Sequence, residues 1–216
     1  MIRARARLRI LLWTVPLICS PTALGQETAQ RGDASKGQPI VSRVCAACHG
    51  PDGNSPTSAN PKLAGQIPEY IQKQLTNFKP ASGAKPEREN PIMAGMAAPL
   101  SADDMRNVAA FFAQQAPRPG AAKSKDSAER GQKIWRAGDA TRGLPACAAC
   151  HGAIGAGVPA QFPRLAGQYA EYTENQLKAF RTGTRANDAN RTMRTIAAKL
   201  TDAEIAAVAD YAAGLH

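Results

Sequence analysis

Cysteine and histidine are scarce in this chain, which has five cysteines and three histidines among its 216 residues. Most of them fall in one hexapeptide, CAACHG, which occupies residues 45–50 and returns at residues 147–152. Outside these two copies the chain has only Cys19 and the terminal His216. Apart from Cys19, no thiol is left for a disulfide or a metal site away from the repeated motif.

The N-terminus lacks an apolar run long enough to span a bilayer, because residues 10–19 are too few and include Pro16. Arginines at positions 3, 5, 7 and 9 precede this run, and the small residues Ala23 and Gly25 follow it. This pattern is typical of a secretory signal peptide. We predict that residues 1–25 are a signal peptide, cleaved near Gly25. A retained anchor or a lipid-modified Cys19 fits these residues less well.

Two thiols separated by two residues could form a redox disulfide, supply half of a zinc site, or attach a c-type haem whose axial ligand is the next histidine. The chain lacks the β-branched strand pattern that accompanies a thioredoxin-like site. Zinc needs four ligands, whereas the two motifs together offer six, and zinc does not explain why each histidine directly follows a cysteine.

A haem explains this order, because the thiols join one porphyrin edge and the next residue then lies under the iron. We therefore predict two covalent haem c groups, with a zinc site and a redox disulfide as the alternatives. The predicted attachment residues are Cys45, Cys48, Cys147 and Cys150, and the predicted iron ligands in the motifs are His49 and His151.

The chain is an internal repeat, and the repeat selects a second axial ligand for each iron. PKLAGQ at residues 61–66 matches PRLAGQ at residues 163–168. Further along, Met93 stands opposite Met193, whereas Met96 stands opposite Ile196, which cannot bind iron. We predict Met93 and Met193 as the axial methionines, with Met96 as the second choice in the first half.

Helical patterns dominate the rest of the sequence, and the predicted fold class is all-α. Ser101 and Thr201 each precede an acid by three residues, as in a capping box, and an amphipathic stripe follows each of them. Further helices are predicted at 68–79 and 169–181 and ahead of each motif. The predicted domains are 26–117 and 128–216, joined by a linker at 118–127. An eight-residue insertion before the second motif is predicted to be a surface loop.

The ordered set of CAACHG, P(K/R)LAGQ and a methionine, present in both halves, resembles the dihaem cytochrome c4 family. The resemblance covers essentially all of the predicted mature chain. It implies two tandem class I cytochrome c-like domains, each wrapped around a covalent haem c. It also implies that the carbonyls of Pro61 and Pro163 orient the ligating histidines, as outer-shell partners do.

Family members are periplasmic electron carriers, often membrane-associated, that deliver electrons to haem-copper terminal oxidases. The resemblance therefore implies a periplasmic location, a respiratory donor complex and a terminal oxidase as partners, and possible peripheral membrane association. Histidine and methionine together saturate the iron and leave no position for a substrate, so we predict an electron carrier rather than an enzyme. The alternative is a dihaem enzyme or redox-enzyme subunit, acting on thiosulfate or peroxide, in which one axial ligand is labile.

Positive charge is unevenly distributed along the chain. Residues 26–117 contain nine basic and eight acidic residues, whereas residues 118–216 contain fourteen and nine. We expect acidic partners to dock preferentially on the second half. Nucleic acid is not an expected partner of an exported haem protein, despite the sequence pI of about 9.7.

Overall fold

The computed structural model describes residues 31–80 and 84–216. Within these ranges the regular structure is helical, and the only strand-like pairings are two isolated bridges, Asp139 with Leu144 and Val158 with Phe162. The all-α prediction is therefore confirmed. The predicted signal peptide lies outside the described residues.

The two halves of the chain, residues 31–117 and 118–216, contain helices in the same order. The first half has α1 (Ala34–Ile40), α2 (Ala46–His49), α3 (Pro68–Phe78), α4 (Pro91–Ala97) and α5 (Ala102–Ala113). The second half has α6 (Lys125–Ala137), α7 (Ala148–His151), α8 (Ala170–Thr182), α9 (Thr192–Ala197) and α10 (Asp202–Ala213). A π-helical turn, Val41–Cys45, joins α1 to α2.

The observed helix ends differ from the predicted ones by small amounts with local causes. Helix α3 ends at Phe78 because Lys79 has extended backbone. Helix α8 runs through Thr182 and stops at Gly183, whose φ of 80° is easily adopted only by glycine. Helix α6 begins at Lys125, so it includes the last residues of the predicted linker.

The last helix of each half begins with the predicted capping box. The Ser101 hydroxyl accepts from the N–H of Asp104 at 3.1 Å, and the Asp104 carboxylate accepts from the N–H of Ser101 at 2.9 Å. Thr201 and Glu204 repeat this exchange at 3.3 and 2.8 Å. Each box satisfies N–H groups that the first turn of a helix leaves without partners.

The first and last helices of each half approach each other closely at a glycine. Helix α1 packs on α5, and α6 packs on α10. A Cβ atom at Gly37 would collide with the carbonyl oxygen of Asn107, and one at Gly131 would collide with that of Ala207. Glycine is therefore required at both crossings, which fix the helix ahead of each motif against the last helix of its half.

Each half contains an apolar core. The first core consists of Val41, Ile71, Leu75, Leu100, Met105, Val108, Ala109 and Phe112. The second core consists of Trp135, Leu144, Leu177, Leu200, Ile205, Val208 and Ala212. Each core packs against its own motif, since Cys45 contacts the first and Cys147 contacts the second.

The insertion before the second motif is a surface loop, as predicted, but it is anchored. Residues 140–143 are exposed, whereas Leu144 is buried in the second core. Asp139 and Leu144 exchange two backbone hydrogen bonds of 2.8 Å. Arg142 in the loop also donates to the Glu204 carboxylate at 2.6 Å, which ties the loop to α10.

No helix within residues 31–80 and 84–216 combines the length and the apolar composition that crossing a membrane requires.

Candidate functional site

The first CAACHG motif forms the short helix α2, which ends at Gly50 with a φ of 79°. His49 is buried, with 7% of its surface exposed. Its Nδ1 lies 2.9 Å from the carbonyl oxygen of Pro61, as the family resemblance implies. The thiol residue Cys45 is partly buried, whereas Cys48 is exposed.

The second motif repeats this geometry in α7, which ends at Gly152 with a φ of 81°. His151 is also 7% exposed. Its Nδ1 lies 2.9 Å from the carbonyl oxygen of Pro163. In both halves the motif histidine therefore makes the same hydrogen bond to the first residue of the PKLAGQ or PRLAGQ segment.

The hydrogen bond to a carbonyl determines which ring nitrogen is free for a ligand. A carbonyl oxygen accepts only, so Nδ1 of His49 and of His151 must carry the proton, and Nε2 keeps its lone pair. Burial lowers the pKa of both histidines, against a smaller opposing effect of the proline carbonyls. Both rings are therefore neutral imidazoles at neutral pH, the form that binds metals.

The motif thiols do not have the properties of a redox disulfide. Burial raises the pKa of Cys45 and of Cys147 to about 11, whereas disulfide oxidoreductases lower the pKa of the attacking thiol. Among the described residues, no three His, Cys, Asp or Glu side chains form a metal-binding group.

Met93 lies in α4 and packs against the first core, the same core that Cys45 contacts. The Asn90 side chain caps this helix by accepting from the N–H of Met93 at 3.0 Å. Met96 is 44% exposed. Met105 is buried in the first core. Of these three methionines, Met93 is therefore the one that is partly buried and packs, like Cys45, against the surface of the first core.

Met193 lies in α9 and packs against the second core together with Cys147. Two non-glycine residues in the left-handed region, Asn190 and Arg191, with φ of 53° and 58°, precede it. The Asp188 carboxylate then accepts from both the N–H and the Nε of Arg194, at 2.9 and 2.7 Å. This partly buried ion pair fixes the start of α9 in place of the asparagine cap in the first half.

The side chains around the two histidines differ. The Trp135 ring is 6.4 Å from the His151 ring, and the Phe162 ring is 6.1 Å from it, measured between centroids. The corresponding positions of the repeat, counted from the matching glycines and prolines, are Val41 and Asn60. Among residues 31–80 and 84–216, the second histidine therefore has two aromatic neighbours that the first lacks.

Comparison with known proteins also divides the chain into two tandem regions of one family. The Cytochrome c family model matches residues 34–116 and 128–215. Cytochrome c4 of Thiocapsa roseopersicina is 48% identical over 188 residues, covering 86% of this chain and 94% of that protein. The crystal structure of reduced recombinant cytochrome c4 from Pseudomonas stutzeri matches with a TM-score of 0.79 and 44% identity, covering 86% of this chain and 100% of that one.

The chain belongs to the dihaem cytochrome c4 family. A further relative, from Stutzerimonas stutzeri, is named thiosulfate dehydrogenase electron acceptor and is 43% identical over 194 residues, covering 88% of this chain and 86% of that protein. Membership in the cytochrome c4 family establishes two covalently bound haem c groups and a role in electron transfer. The residues present fit that cofactor, because each half offers two thiols, a neutral imidazole with a free nitrogen, and a thioether.

In this chain, glutamines join the two halves through the repeated segment. Gln168 Nε2 donates to the carbonyl oxygen of Lys62 at 2.9 Å, and Gln66 Nε2 donates to that of Arg164 at 3.0 Å. The contact is reciprocal, since corresponding residues of the repeat exchange the roles of donor and acceptor. Both glutamines are buried, with 7% and 8% of their surfaces exposed.

Two arginines form a second reciprocal contact between the halves. Arg88 lies over the Phe78 ring, and Arg185 lies over the Phe180 ring. Each guanidinium group also donates across the interface, Arg88 to the Tyr172 hydroxyl at 3.1 Å and Arg185 to the Tyr70 hydroxyl at 3.0 Å. The linker adds further bonds, because Arg118 N–H donates to the Asn54 side chain and Lys123 N–H donates to Asp210, both at 2.7 Å.

The roles of these interface residues were not predicted from the sequence. Arg88 follows Phe78 by ten residues, whereas Arg185 follows Phe180 by five, so the internal alignment does not pair the two arginines. The glutamines do align, at the end of PKLAGQ and PRLAGQ. That repetition was the available signal, but a repeated polar residue does not indicate which partner it binds.

Proposed function

We propose that this chain is a periplasmic dihaem carrier that passes electrons toward a terminal oxidase, with both irons bound by histidine and methionine. Cys45 and Cys48 attach the first haem, and Cys147 and Cys150 attach the second. His49 and Met93 bind the first iron, and His151 and Met193 bind the second. The proposal depends mainly on one observation: in each half a methionine packs on the same core as the motif cysteine and a buried, neutral histidine follows in the motif.

The protein's own groups support electron transfer and disfavour substrate chemistry. When bound, haem c would supply one-electron chemistry, and a histidine and a methionine ligand together would leave no coordination position open for a substrate. The carbonyls of Pro61 and Pro163 orient the histidine rings. Both motif histidines are buried, which limits the solvent rearrangement around them when the charge of the iron changes.

Optical spectroscopy and a redox titration of the purified dihaem protein test the ligand assignment. We expect two low-spin haems with the weak near-infrared band of a methionine–iron bond. Met93→Leu and Met193→Leu should each remove the band of one haem and lower its potential, because a thioether favours ferrous iron. Met96→Leu is the matched control and should leave the band intact. Loss of the band in Met96→Leu, with Met93→Leu unchanged, would reverse the assignment in the first half.

The domain limits belong to the same proposal: a signal peptide at 1–25, haem domains at 26–117 and 128–216, and a linker at 118–127. Mass spectrometry of the exported protein should give a mature N-terminus near Gln26 and the added mass of two haems. A chain that retains residues 1–25 would contradict the cleavage and favour an anchor.

A second candidate concerns the electron donor. The relative named thiosulfate dehydrogenase electron acceptor favours a role downstream of that enzyme. Stopped-flow mixing with a purified thiosulfate dehydrogenase and thiosulfate distinguishes the two. Rapid reduction of both haems would support this donor, whereas reduction only by a respiratory quinol-oxidising complex would support the first candidate. High-spin haem at rest, with turnover of thiosulfate or peroxide by the chain alone, would indicate the enzyme alternative.

We also propose that an acidic partner docks on the second half of the chain. Peripheral association with a membrane is a separate proposal. Not every positive charge of this half can take part. Arg185 is buried in the interface between the halves, whereas Arg191 is exposed and Arg181 pairs with Asp202. Charge reversal at Arg191 should therefore reduce the salt dependence of electron transfer to an acidic partner, whereas an unchanged dependence would place the docking surface elsewhere.

A further inference from the structure

The peptide group between Pro61 and Lys62 makes hydrogen bonds at both of its ends. Its carbonyl oxygen accepts from Nδ1 of His49 at 2.9 Å. Its N–H donates to Oε1 of Gln168 at 3.0 Å, and Gln168 belongs to the second half of the chain. One planar amide therefore connects the first motif histidine to a side chain of the other half.

The peptide group between Pro163 and Arg164 makes the mirror-image connection. Its carbonyl oxygen accepts from Nδ1 of His151 at 2.9 Å, and its N–H donates to Oε1 of Gln66 at 2.9 Å. Gln66 belongs to the first half. Each motif histidine is thus connected to a glutamine of the opposite half.

The orientation of each glutamine amide is fixed by its contacts. Oε1 of Gln168 accepts from the N–H of Lys62 and also from the N–H of Tyr169 at 3.0 Å, while its Nε2 donates to a carbonyl oxygen. Oε1 of Gln66 likewise accepts from the N–H groups of Arg164 and Ile67. A flipped amide would set NH₂ against two N–H groups, so the oxygen must face the peptide.

An amide that donates through its N–H becomes a better acceptor at its carbonyl, because hydrogen bonds in a chain polarise one another. A stronger bond at Nδ1 makes the imidazole a more electron-rich ligand. We propose that Gln168 and Gln66 are positioning residues that tune, across the interface, the haem whose histidine lies in the opposite half. This inference rests on the proposed axial roles of His49 and His151.

The expected consequence is a potential shift in the opposite half. An electron-rich histidine stabilises ferric iron, so removing the glutamine oxygen should raise the potential of the haem that it tunes. Gln168→Met keeps the length and removes the acceptor, and it should raise the potential of the first haem more than that of the second. Gln66→Met should do the reverse. Gln168→Glu keeps an acceptor for both N–H groups and should not raise the potential of the first haem.

The control variant is Gln74→Met. Gln74 is buried in the same interface, but its Oε1 accepts from Arg88, Arg185 and Asn187. It makes no hydrogen bond to the two peptide groups that accept from the histidines. A general loosening of the interface would appear in this variant as well. We expect Gln74→Met to change the stability of the protein without the crossed pattern of potentials.

The test is a redox titration of the holoprotein, which measures both haem potentials, together with NMR of the histidine ring N–H in the ferrous state. A crossed pattern, with Gln168→Met shifting the first haem and the His49 ring proton, supports the proposal. Equal shifts of both haems, a larger shift in the glutamine's own half, or the same shift in Gln74→Met would overturn it. If Gln168→Met does not fold, a raised first-haem potential in Gln168→Glu also overturns it.

Different results would contradict the proposed function and the role of the glutamines. A wild-type spectrum without histidine–methionine ligation would remove the proposed function and this inference together. Two low-spin haems of the expected type, with potentials unaffected by either glutamine variant, would remove only this inference.

Discussion

In both halves the motif histidine donates to a proline carbonyl 2.9 Å away, yet the residues enclosing the two rings differ. Trp135 and Phe162 surround His151, whereas Val41 and Asn60 hold the corresponding positions in the first half. The repeat has kept the contact that orients the ligand and varied the enclosure. Duplication thus allowed one electron-transfer site to differ from the other in dielectric surroundings while its ligand geometry stayed the same.

A second difference lies where each half touches the other half's motif region. Tyr169 donates through its hydroxyl to the carbonyl oxygen of Ser55 at 2.5 Å, and the Ser55 hydroxyl oxygen lies 3.1 Å from the carbonyl oxygen of Cys48. The corresponding pair is Ile67 and Gly157, where the isoleucine side chain lies against the glycine. The first motif therefore has a polar neighbour from the opposite half, and the second has an apolar one. Both differences favour a higher potential at the second haem.

The largest expected effect comes from removing one haem at a time. Cys45→Ala with Cys48→Ala, and separately Cys147→Ala with Cys150→Ala, should each leave one haem per chain by mass. A half without haem loses the apolar mass on which its small core packs, but the second core contains the fully buried Trp135. We therefore expect the first half to unfold more completely when its haem is missing.

Hydrogen exchange followed by mass spectrometry measures this difference, with the intact half of each variant as the internal control. Equal loss of protection in the two variants would mean that the aromatic core does not distinguish the halves. Two haems in either variant would contradict the attachment sites themselves.

An intermediate effect is expected from making the second enclosure resemble the first. Trp135→Val removes a fully buried side chain and should destabilise the second half by about 3–5 kcal/mol. It should also lower the potential of the second haem toward that of the first, because water and polar groups approach the ring more closely. Redox titration and thermal unfolding measure both quantities.

Val41→Ala in the first half is the matched control, since it shortens the corresponding buried side chain. It should cost roughly 1–3 kcal/mol and leave the second potential unchanged. An unaltered second potential in Trp135→Val would show that the aromatic enclosure does not account for any difference between the haems.

The smallest effect concerns the two capping boxes. The Arg142 side chain, followed by the cap contacts of Thr201, lowers the pKa of Glu204 to about 2, whereas only the Ser101 contacts lower the pKa of Asp104. A carboxylate with a depressed pKa adds stability above its ordinary pKa, and this contribution is lost as the pH falls toward the depressed value. Arg142→Ala should therefore raise the pKa of Glu204, so that its contribution is lost at a higher pH.

NMR titration of the two carboxyl groups gives the comparison within one molecule. Asp104 should titrate unchanged in the Arg142→Ala variant. A Glu204 pKa that does not move would show that the cap, and not the arginine, holds the carboxylate ionised.

The parts of the fold that depend on local sequence were predictable. The capping boxes follow from spacing, and so do the helices ahead of each motif, because both depend on residues close in the chain. The choice of Met93 over Met96 depends on the repeat register and stays a prediction. The start of α6 was harder, since Ser124 caps a helix inside a stretch with the proline, glycine and charged residues of a linker.

The contacts between the halves could not be predicted, because they depend on how two folded units pack. Arg88 and Arg185 make equivalent contacts from segments of different length, so no alignment relates them. The enclosure of His151 by Trp135 was equally hidden, since a lone tryptophan before the motif predicts burial but not its neighbour.

The reciprocal glutamine contact also determines how many units can join. When the same patch serves both sides of a contact, as in a two-fold symmetric dimer, every donor and acceptor finds its partner and the pairing closes at two. Gln66 and Gln168 make such a contact within one chain, each using both ends of its amide on the opposite half. A third copy of the repeat would find this face already occupied. The architecture is therefore a closed pair and cannot grow through this face into a longer haem array.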